Sequence, residues 1–295
     1  MKYKIFDNKI IIEDISQFNI RQIFDCGQIF RYYIHNDMVA EVVSTDKYAQ
    51  ITTLKECVEV QTSDIDYFVK FFDLDRDYNA IKHQLSDDKF LSPCINFGYG
   101  IRILNQDLFE MIVSFIISAN NNIKRIKNSL NHLSKKFGTK MSTPITIVSE
   151  NSPLCVNNAN RVEYYAFPTL SQLKNATIDD YIEAGLGYRA EYMYHTIQRL
   201  DDNILAKFGD LSEEEQLEFL LSLKGVGEKV AHCILLFAMH RTNVFPVDTW
   251  INKVYNDLTH TSTTNRRAIS KELSNRYNNL SGYAQQYFFY YYRSK

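Results

Sequence analysis

Residues 219–248 read FLLSLKGVGEKVAHCILLFAMHRTNVFPVD, two apolar helical runs parted by a turn that holds two glycines. A Glu- and Leu-rich helix is predicted over Ser212 to Leu223, the chain then passes through Gly225-Val226-Gly227, and a second helix is predicted from about Glu228. The pattern is a helix-hairpin-helix. Each glycine costs conformational entropy; a hairpin of this kind uses the pair to turn the chain sharply and to leave backbone N–H groups open to a phosphate. Standing alone, such a turn reads first as an ordinary connection between helices.

Two polar residues frame the second helix. Lys229 falls in its first turn, where the helix dipole disfavours a cation and is expected to lower the lysine pKa. A nucleophilic amine must be neutral, and moving a lysine from ~10.4 to about 7 requires roughly 4–5 kcal/mol of destabilisation of the ammonium form. A surface lysine beside a hairpin also reads as a phosphate contact. Asp248 precedes the apolar-periodic Trp250, Ile251, Val254 and Tyr255, which makes it a natural N-cap. A carboxylate held at a helix start also suits stabilisation of an oxocarbenium-like transition state or activation of an attacking amine.

Working outward, the chain has 295 residues, of which 45% are hydrophobic and 23% charged, with 10 Gly and 5 Pro. That composition excludes collagenous, mucin-like and disordered classes. A net charge of −2 means that any DNA-binding surface must be local. Cys26, Cys57, Cys94, Cys155 and Cys233 are odd in number and scattered, which fits a reducing compartment and excludes a four-Cys iron–sulfur site. No apolar run approaches a membrane span and the start lacks a signal-peptide core, so a soluble, cytoplasmic protein is expected, nucleoid-associated in a bacterium.

From Ile10 to about Ser63, runs such as Met38 to Val43 and Tyr48 to Leu54 predict antiparallel strands, and Asp64 to Leu74 and Tyr78 to Leu85 predict short helices beside them. After Pro93 the strand signals stop. Helices are predicted over Asp107 to Ile117, Asn122 to Phe137, Ile178 to Ala184 and Tyr192 to Phe208, while Met141 to Asn160 reads as a surface loop. The fold class is therefore α+β, a twisted antiparallel sheet domain followed by an all-α helix-hairpin-helix region. Between Asn120 and Val148 stand Lys124, Arg125, Lys127, Lys135, Lys136 and Lys140 with no acid, either a solvated helix face or a nucleic-acid footprint.

The segment LKGVGEKVAHC…VFPVD resembles the helix-hairpin-helix, Gly-Pro-Asp superfamily of DNA glycosylases, and having both Lys229 and Asp248 points to its bifunctional branch. Further segments, from about Cys26 to Phe289, resemble the 8-oxoguanine DNA glycosylase/lyase family. Cys26 to Arg31 is similar to the family's Gly-Gln-x-Phe-Arg strand, which implies that Gly27 offers its carbonyl to the N7 hydrogen of 8-oxoguanine. Ser118 to Arg125 is similar to the Asn-rich turn that enters the hole left by the extruded base, so Asn120 and Arg125 are implied contacts of the orphaned base. Gly185-Leu-Gly-Tyr-Arg189 matches a turn in which Tyr188 would wedge the duplex and Arg189 join the orphan cytosine. Lys229 and Cys233 share a helix face at i, i+4 spacing, as do Gln285 and Phe289. The resemblance implies that Cys233 and Phe289 sandwich the flipped base and that Gln285 reads its Watson–Crick edge.

The resemblance also implies an N-terminal TBP-like α+β domain over residues 1–95 and a glycosylase region over 96–295. The expected activity is removal of 8-oxoguanine opposite cytosine by a Lys229 Schiff base, with abasic-site lyase cleavage, by a monomer acting on double-stranded DNA. Gly225 and Gly227 would approach its phosphates. No cofactor is required, although the hairpin carbonyls of Leu221, Leu223 and Val226 match positions that hold a cation. Lys224 stands where proline is common and Trp250 where some relatives carry histidine. The alternatives are a glycosylase for another lesion, such as an alkylated purine, and a non-catalytic DNA-binding hairpin protein.

Overall fold

The computed structural model describes residues 1–144, 152–158 and 161–295. Strands β1 (Tyr3–Phe6), β2 (Lys9–Ile12), β3 (Tyr32–Asn36), β4 (Val39–Ser44), β5 (Lys47–Thr53) and β6 (Val58–Thr62) form an antiparallel sheet in the order β1-β2-β6-β5-β4-β3. Alternation along the strands turns Ile10, Ile12, Ala40, Val42, Ala49, Ile51, Val58 and Val60 to one face. There they meet Phe24 of α1 (Ile20–Phe24) and Phe68 and Phe71 of α2 (Ile65–Phe71) in one apolar core.

The chain continues through α3 (Tyr78–Leu85), α4 (Ser92–Phe97), α5 (Leu108–Ser118) and α6 (Ile123–Phe137). Three short strands follow, β7 (Lys140–Thr143), β8 (Cys155–Asn158) and β9 (Arg161–Tyr165), paired in the order β7-β9-β8. The remaining helices are α7 (Leu170–Leu173), α8 (Ile178–Glu183), α9 (Arg189–Arg199), α10 (Asp202–Lys207), α11 (Glu213–Leu221), α12 (Glu228–Ala238), α13 (Thr249–Thr259), α14 (Arg266–Tyr277) and α15 (Ser281–Arg293). Helix α5 is buried along nearly its whole length because α6, α9 and α12 surround it. Among the described residues no helix is long and apolar enough to cross a membrane.

Two expectations need correction here. The stretch Met141 to Asn160, read as a loop, contributes most of β7 and all of β8, and residues 145–151 and 159–160 lie outside the described ones. Four-residue strands carry too few positions for a periodic signal, and their partner is tertiary. Leu154, Cys155, Val162 and Tyr164 cover the outer face of the first sheet at Val43 and Tyr48. Every residue of β4 is consequently buried, including Glu41, whose Oε2 accepts from Tyr48 Oη at 3.0 Å and Cys155 Sγ at 3.1 Å. Burial raises the Glu41 carboxyl pKa. The single helix expected over Tyr192 to Phe208 is two, because the Asp201 side chain accepts from Ile204 N at 2.8 Å and caps α10.

Residues 98–107 stitch the two cores, with Ile101 and Ile103 in the helical one and Leu104 in the sheet one. Arg102 is fully buried there, its Nε donating to Phe72 O at 2.7 Å and its Nη2 to Asp73 O, with the guanidinium 4.1 Å from the Tyr78 ring centroid. Arg102→Leu strands both carbonyls, and a loss of about 2–5 kcal/mol is expected by urea denaturation; an unchanged midpoint would show that water replaces the guanidinium at no cost.

Candidate active site

Helix α11 starts on a capping box in which Ser212 Oγ accepts from Glu215 N and Glu215 Oε2 accepts from Ser212 N. The turn that follows needs glycine at 225, where φ is +83° and a Cβ would lie 3.0 Å from Cβ of Tyr192. Gly227 differs. Its φ is −94° and a Cβ there would meet nothing within 4 Å, so the protein's own packing does not call for glycine. Gly227 is the N-cap of α12 and provides no side-chain cap, which leaves the first N–H groups of that helix accessible. A hollow of ≈ 290 Å³ opens there, lined among others by Gly227, Lys229, His232 and Arg266.

Lys229 lies half-buried in the first turn of α12, its Nζ 5.4 Å from the Phe115 ring centroid. It forms no ion pair with a carboxylate among the described residues. One turn on, Cys233 is buried, and burial raises its thiol pKa; the nearby Lys229 charge pulls the value down and the Asp248 charge pushes it up. Asp248 sits opposite as the N-cap of α13, Oδ1 accepting from Ile251 N at 2.8 Å. The buried Phe245 and Pro246 anchor the approach, with Ser270 Oγ donating to Phe245 O at 2.8 Å.

Gly27 arrives from the sheet domain. The expected strand over Cys26 to Arg31 is instead an irregular turn leaving α1, and β3 begins at Tyr32. Gly27 has φ +80°, and a Cβ would lie 3.0 Å from Cε1 of Phe289, so the ring packs directly on the backbone. The turn is clipped in place by Gln28, which is fully buried. Its Nε2 donates to Ile23 O at 2.9 Å and Arg102 O at 2.8 Å, and its Oε1 accepts from Leu104 N at 2.9 Å. Gln28 O accepts from Gln106 Nε2 at 2.8 Å, and Gln106 N donates to Phe237 O on α12, also at 2.8 Å. The sheet-domain turn is thus tied to the helix that carries Lys229.

Gly27, Lys229, Cys233, Asp248, Gln285 and Phe289 line one cavity of ≈ 40 Å³, completed by Cys26, Phe115, Phe237, Pro246 and Gln286. It adjoins a groove of ≈ 850 Å³ that shares Gly27, Phe115, Lys229, Asp248 and Phe289 and extends to Asn120, Arg125, Trp250 and Arg266. Arg125, Lys229, Arg266 and Arg293 face Asp248 as the groove's sole acid among its lining residues, so the groove is basic on a chain of net charge −2.

The six-cation stretch is not a continuous basic face. Lys136 pairs with Asp180 and Glu183, and Lys140 with Glu163. Lys127 lies 3.3 Å from the Tyr32 ring centroid, burial lowering its pKa to about 8. Asn120, with φ +49°, and Arg125 are exposed at the groove. Tyr188 is also exposed, but Arg189 is buried and holds the Asn-rich turn: Nε donates to Ala119 O at 2.7 Å and Nη2 to Asn120 O at 2.8 Å. Tyr188 and Arg189 stand beside that turn and do not line the groove. Phe115, Gln286, Arg266 and Arg293 also line the cavity or the groove, and no local sequence signal marks them as site residues. Phe115 sits in an apolar helical run that looks like any core helix, and Gln286 in a tail dense in aromatics.

The profile of the 8-oxoguanine DNA glycosylase N-terminal domain matches residues 10–112. An N-glycosylase/DNA lyase of Saccharomyces cerevisiae is 33% identical over 235 residues, 72% of this chain and 56% of that protein. The Arabidopsis thaliana N-glycosylase/DNA lyase OGG1 is 30% identical over 203 residues, 64% of this chain and 51% of that one. The chain thus spans about half the length of these two relatives. The Clostridium acetobutylicum 8-oxoguanine glycosylase/lyase, solved in complex with double-stranded DNA containing cytosine opposite 8-oxoG, superposes with a TM-score of 0.87 at 34% identity, covering 100% of this chain and 98% of that one. On that coverage, and with Gly27, Lys229, Cys233, Asp248, Gln285 and Phe289 on one cavity, the chain belongs to the 8-oxoguanine DNA glycosylase/lyase family.

Proposed function

We propose that this protein removes 8-oxoguanine paired with cytosine from double-stranded DNA and then cleaves the resulting abasic site. The observation that carries the reading is the convergence of Lys229 and Asp248 on one cavity that adjoins a basic groove. The damaged nucleotide flips into that cavity at a cost of a few kcal/mol in stacking and pairing. The cavity has room for about one water, so entry displaces a wall, and the half-exposed ring of Phe289 gives way. Cys233 and Phe289 then enclose the base, Gln285 reads its Watson–Crick edge, and Gly27 O accepts the N7 hydrogen. Guanine would set an N7 acceptor against that carbonyl, and an unpaired buried acceptor costs about 1–3 kcal/mol.

The Lys229 lone pair attacks C1′, the C1′–N9 bond breaks with its electrons leaving on the base, and ring opening gives a Schiff base. Asp248 faces the positive charge that builds on the sugar. Loss of a C2′ proton then expels the 3′ phosphate and nicks the strand. This sequence uses no cofactor; the carbonyls of Leu221, Leu223 and Val226 are the proposed hold for a cation that braces a phosphate. Gly225 shapes the hairpin, while Gly227 and the uncapped start of α12 receive a DNA phosphate.

Asn120 and Arg125 face the orphaned cytosine, Arg189 acts on it through the turn that carries Asn120, and Tyr188 wedges the duplex. Arg125→Ala is expected to relax the preference for cytosine in a panel of four opposite bases with no loss of thermal stability. Arg189→Ala relaxes it too but also lowers Tm, since part-buried carbonyls of the Asn-rich turn lose their donors. Unchanged preference in both variants refutes the assignment.

Borohydride trapping tests the reading as a whole. An adduct with an 8-oxoguanine duplex is expected. An adduct formed mainly with an alkylated purine would reassign the lesion, and binding with no adduct would reduce the protein to a DNA-binding module.

A further inference from the structure

Gln286 is 2% exposed, lies on α15 and lines the same cavity as Lys229 and Cys233. Its Nε2 donates to Gln285 Oε1 at 2.8 Å, while its own Oε1 is buried with no partner among the described residues. A buried carbonyl oxygen left unpaired is a standing cost, and fold packing alone gives no return on it. At the wall of a cavity that must widen to admit a base, the natural partner is a donor on that base.

We infer that Gln286 is a specificity-determining residue that forms, with Gln285, a two-amide reader of a guanine-type edge. The bond from Gln286 holds Gln285 Oε1 and so turns the Gln285 amide N–H groups toward a ligand acceptor. Gln286 Oε1 supplies the complementary acceptor. A guanine-type base presents an acceptor at O6 and donors at N1 and the 2-amino group, which match these two amides in order. An adenine-type edge, with a donor at N6 and an acceptor at N1, reverses both matches and leaves two buried mismatches. The inference rests on the reading that the cavity takes 8-oxoguanine.

The experiment compares wild type and Gln286→Met, which preserves length and apolar bulk, on three duplexes under single-turnover conditions. They carry 8-oxoguanine, 8-oxohypoxanthine (which lacks the 2-amino group), or a preformed abasic site. Excision of 8-oxoguanine relative to abasic-site cleavage is expected to fall about 10- to 100-fold in the variant, with the preference for the lesion bearing the 2-amino group largely lost. Equal ratios and equal preference in the two proteins overturn the inference. So does a parallel fall of excision and abasic-site cleavage, which makes Gln286 a packing residue.

If Gln286→Met does not fold, Gln286→Glu decides. It retains the acceptor but loses the donor that holds Gln285 Oε1, so it is expected to release 8-oxoguanine more slowly while keeping the preference for the 2-amino lesion; a wild-type rate with that preference lost refutes the proposal. Wild-type protein that cleaves abasic DNA but releases no 8-oxoguanine refutes the substrate reading and this inference with it; wild-type protein active on 8-oxoguanine beside an indifferent variant refutes this inference alone.

Discussion

Lys229→Gln is expected to abolish the borohydride-trapped adduct and to slow both base release and strand cleavage by on the order of 10⁴-fold or more. The substitution removes the amine and keeps a polar, helix-compatible side chain of similar reach. Lys229 forms no ion pair among the described residues, so little stability rides on its charge. The buried side of α12, Val230, Ala231, Cys233 and Ile234, is untouched, and the hairpin's backbone donors remain. Duplex binding by gel shift and Tm should therefore stay near wild type while chemistry disappears. A trapped adduct that persists in Lys229→Gln would move the nucleophile elsewhere.

Asp248 calls for a pair of substitutions, because the same carboxylate caps α13 through Ile251 N at 2.8 Å. Asparagine caps a helix about as well as aspartate, whereas alanine at such a position costs about 1 kcal/mol. Asp248→Asn is thus expected to leave denaturant stability unchanged while excision falls by about 10²- to 10³-fold, the size of a lost electrostatic contact to a transition state. Asp248→Ala should show the same kinetic loss plus the stability cost. If Asp248→Asn retains the wild-type rate, the carboxylate is a cap and nothing more. The contrast works because the capping bond needs an oxygen lone pair, which an amide supplies, and stabilisation of a cationic sugar needs a charge, which it does not.

Residue placement was legible in the sequence where it depends on local spacing. Gly225 and Gly227 mark a turn between two apolar helices, Lys229 and Cys233 fall on one helix face, and Asp248 stands at a helix start, all within one 30-residue stretch. Placement was illegible where burial by a distant segment sets the role. Lys127, Lys136 and Lys140 look like a basic stripe until Tyr32, Asp180, Glu183 and Glu163 are brought against them. Arg189 looks like a surface cation until its guanidinium is seen holding the carbonyls of Ala119 and Asn120. The turn at Gly27 takes its shape from Gln28, whose partners Arg102 and Leu104 are more than 70 residues away.

What the sequence determined unaided was the hairpin, the spacing of lysine and aspartate, and the alternation that builds a sheet ahead of a helical region, because helix caps, glycine turns and side-chain periodicity act over a few residues. Only the tertiary structure decided that Gly27 and Phe289, 262 positions apart, close the same cavity as Lys229, and that Gln286 stands in its wall with an oxygen unpaired among the described residues. Those facts depend on which distant surfaces exclude water from one another, and that free energy belongs to the packed pair and is written in neither segment alone.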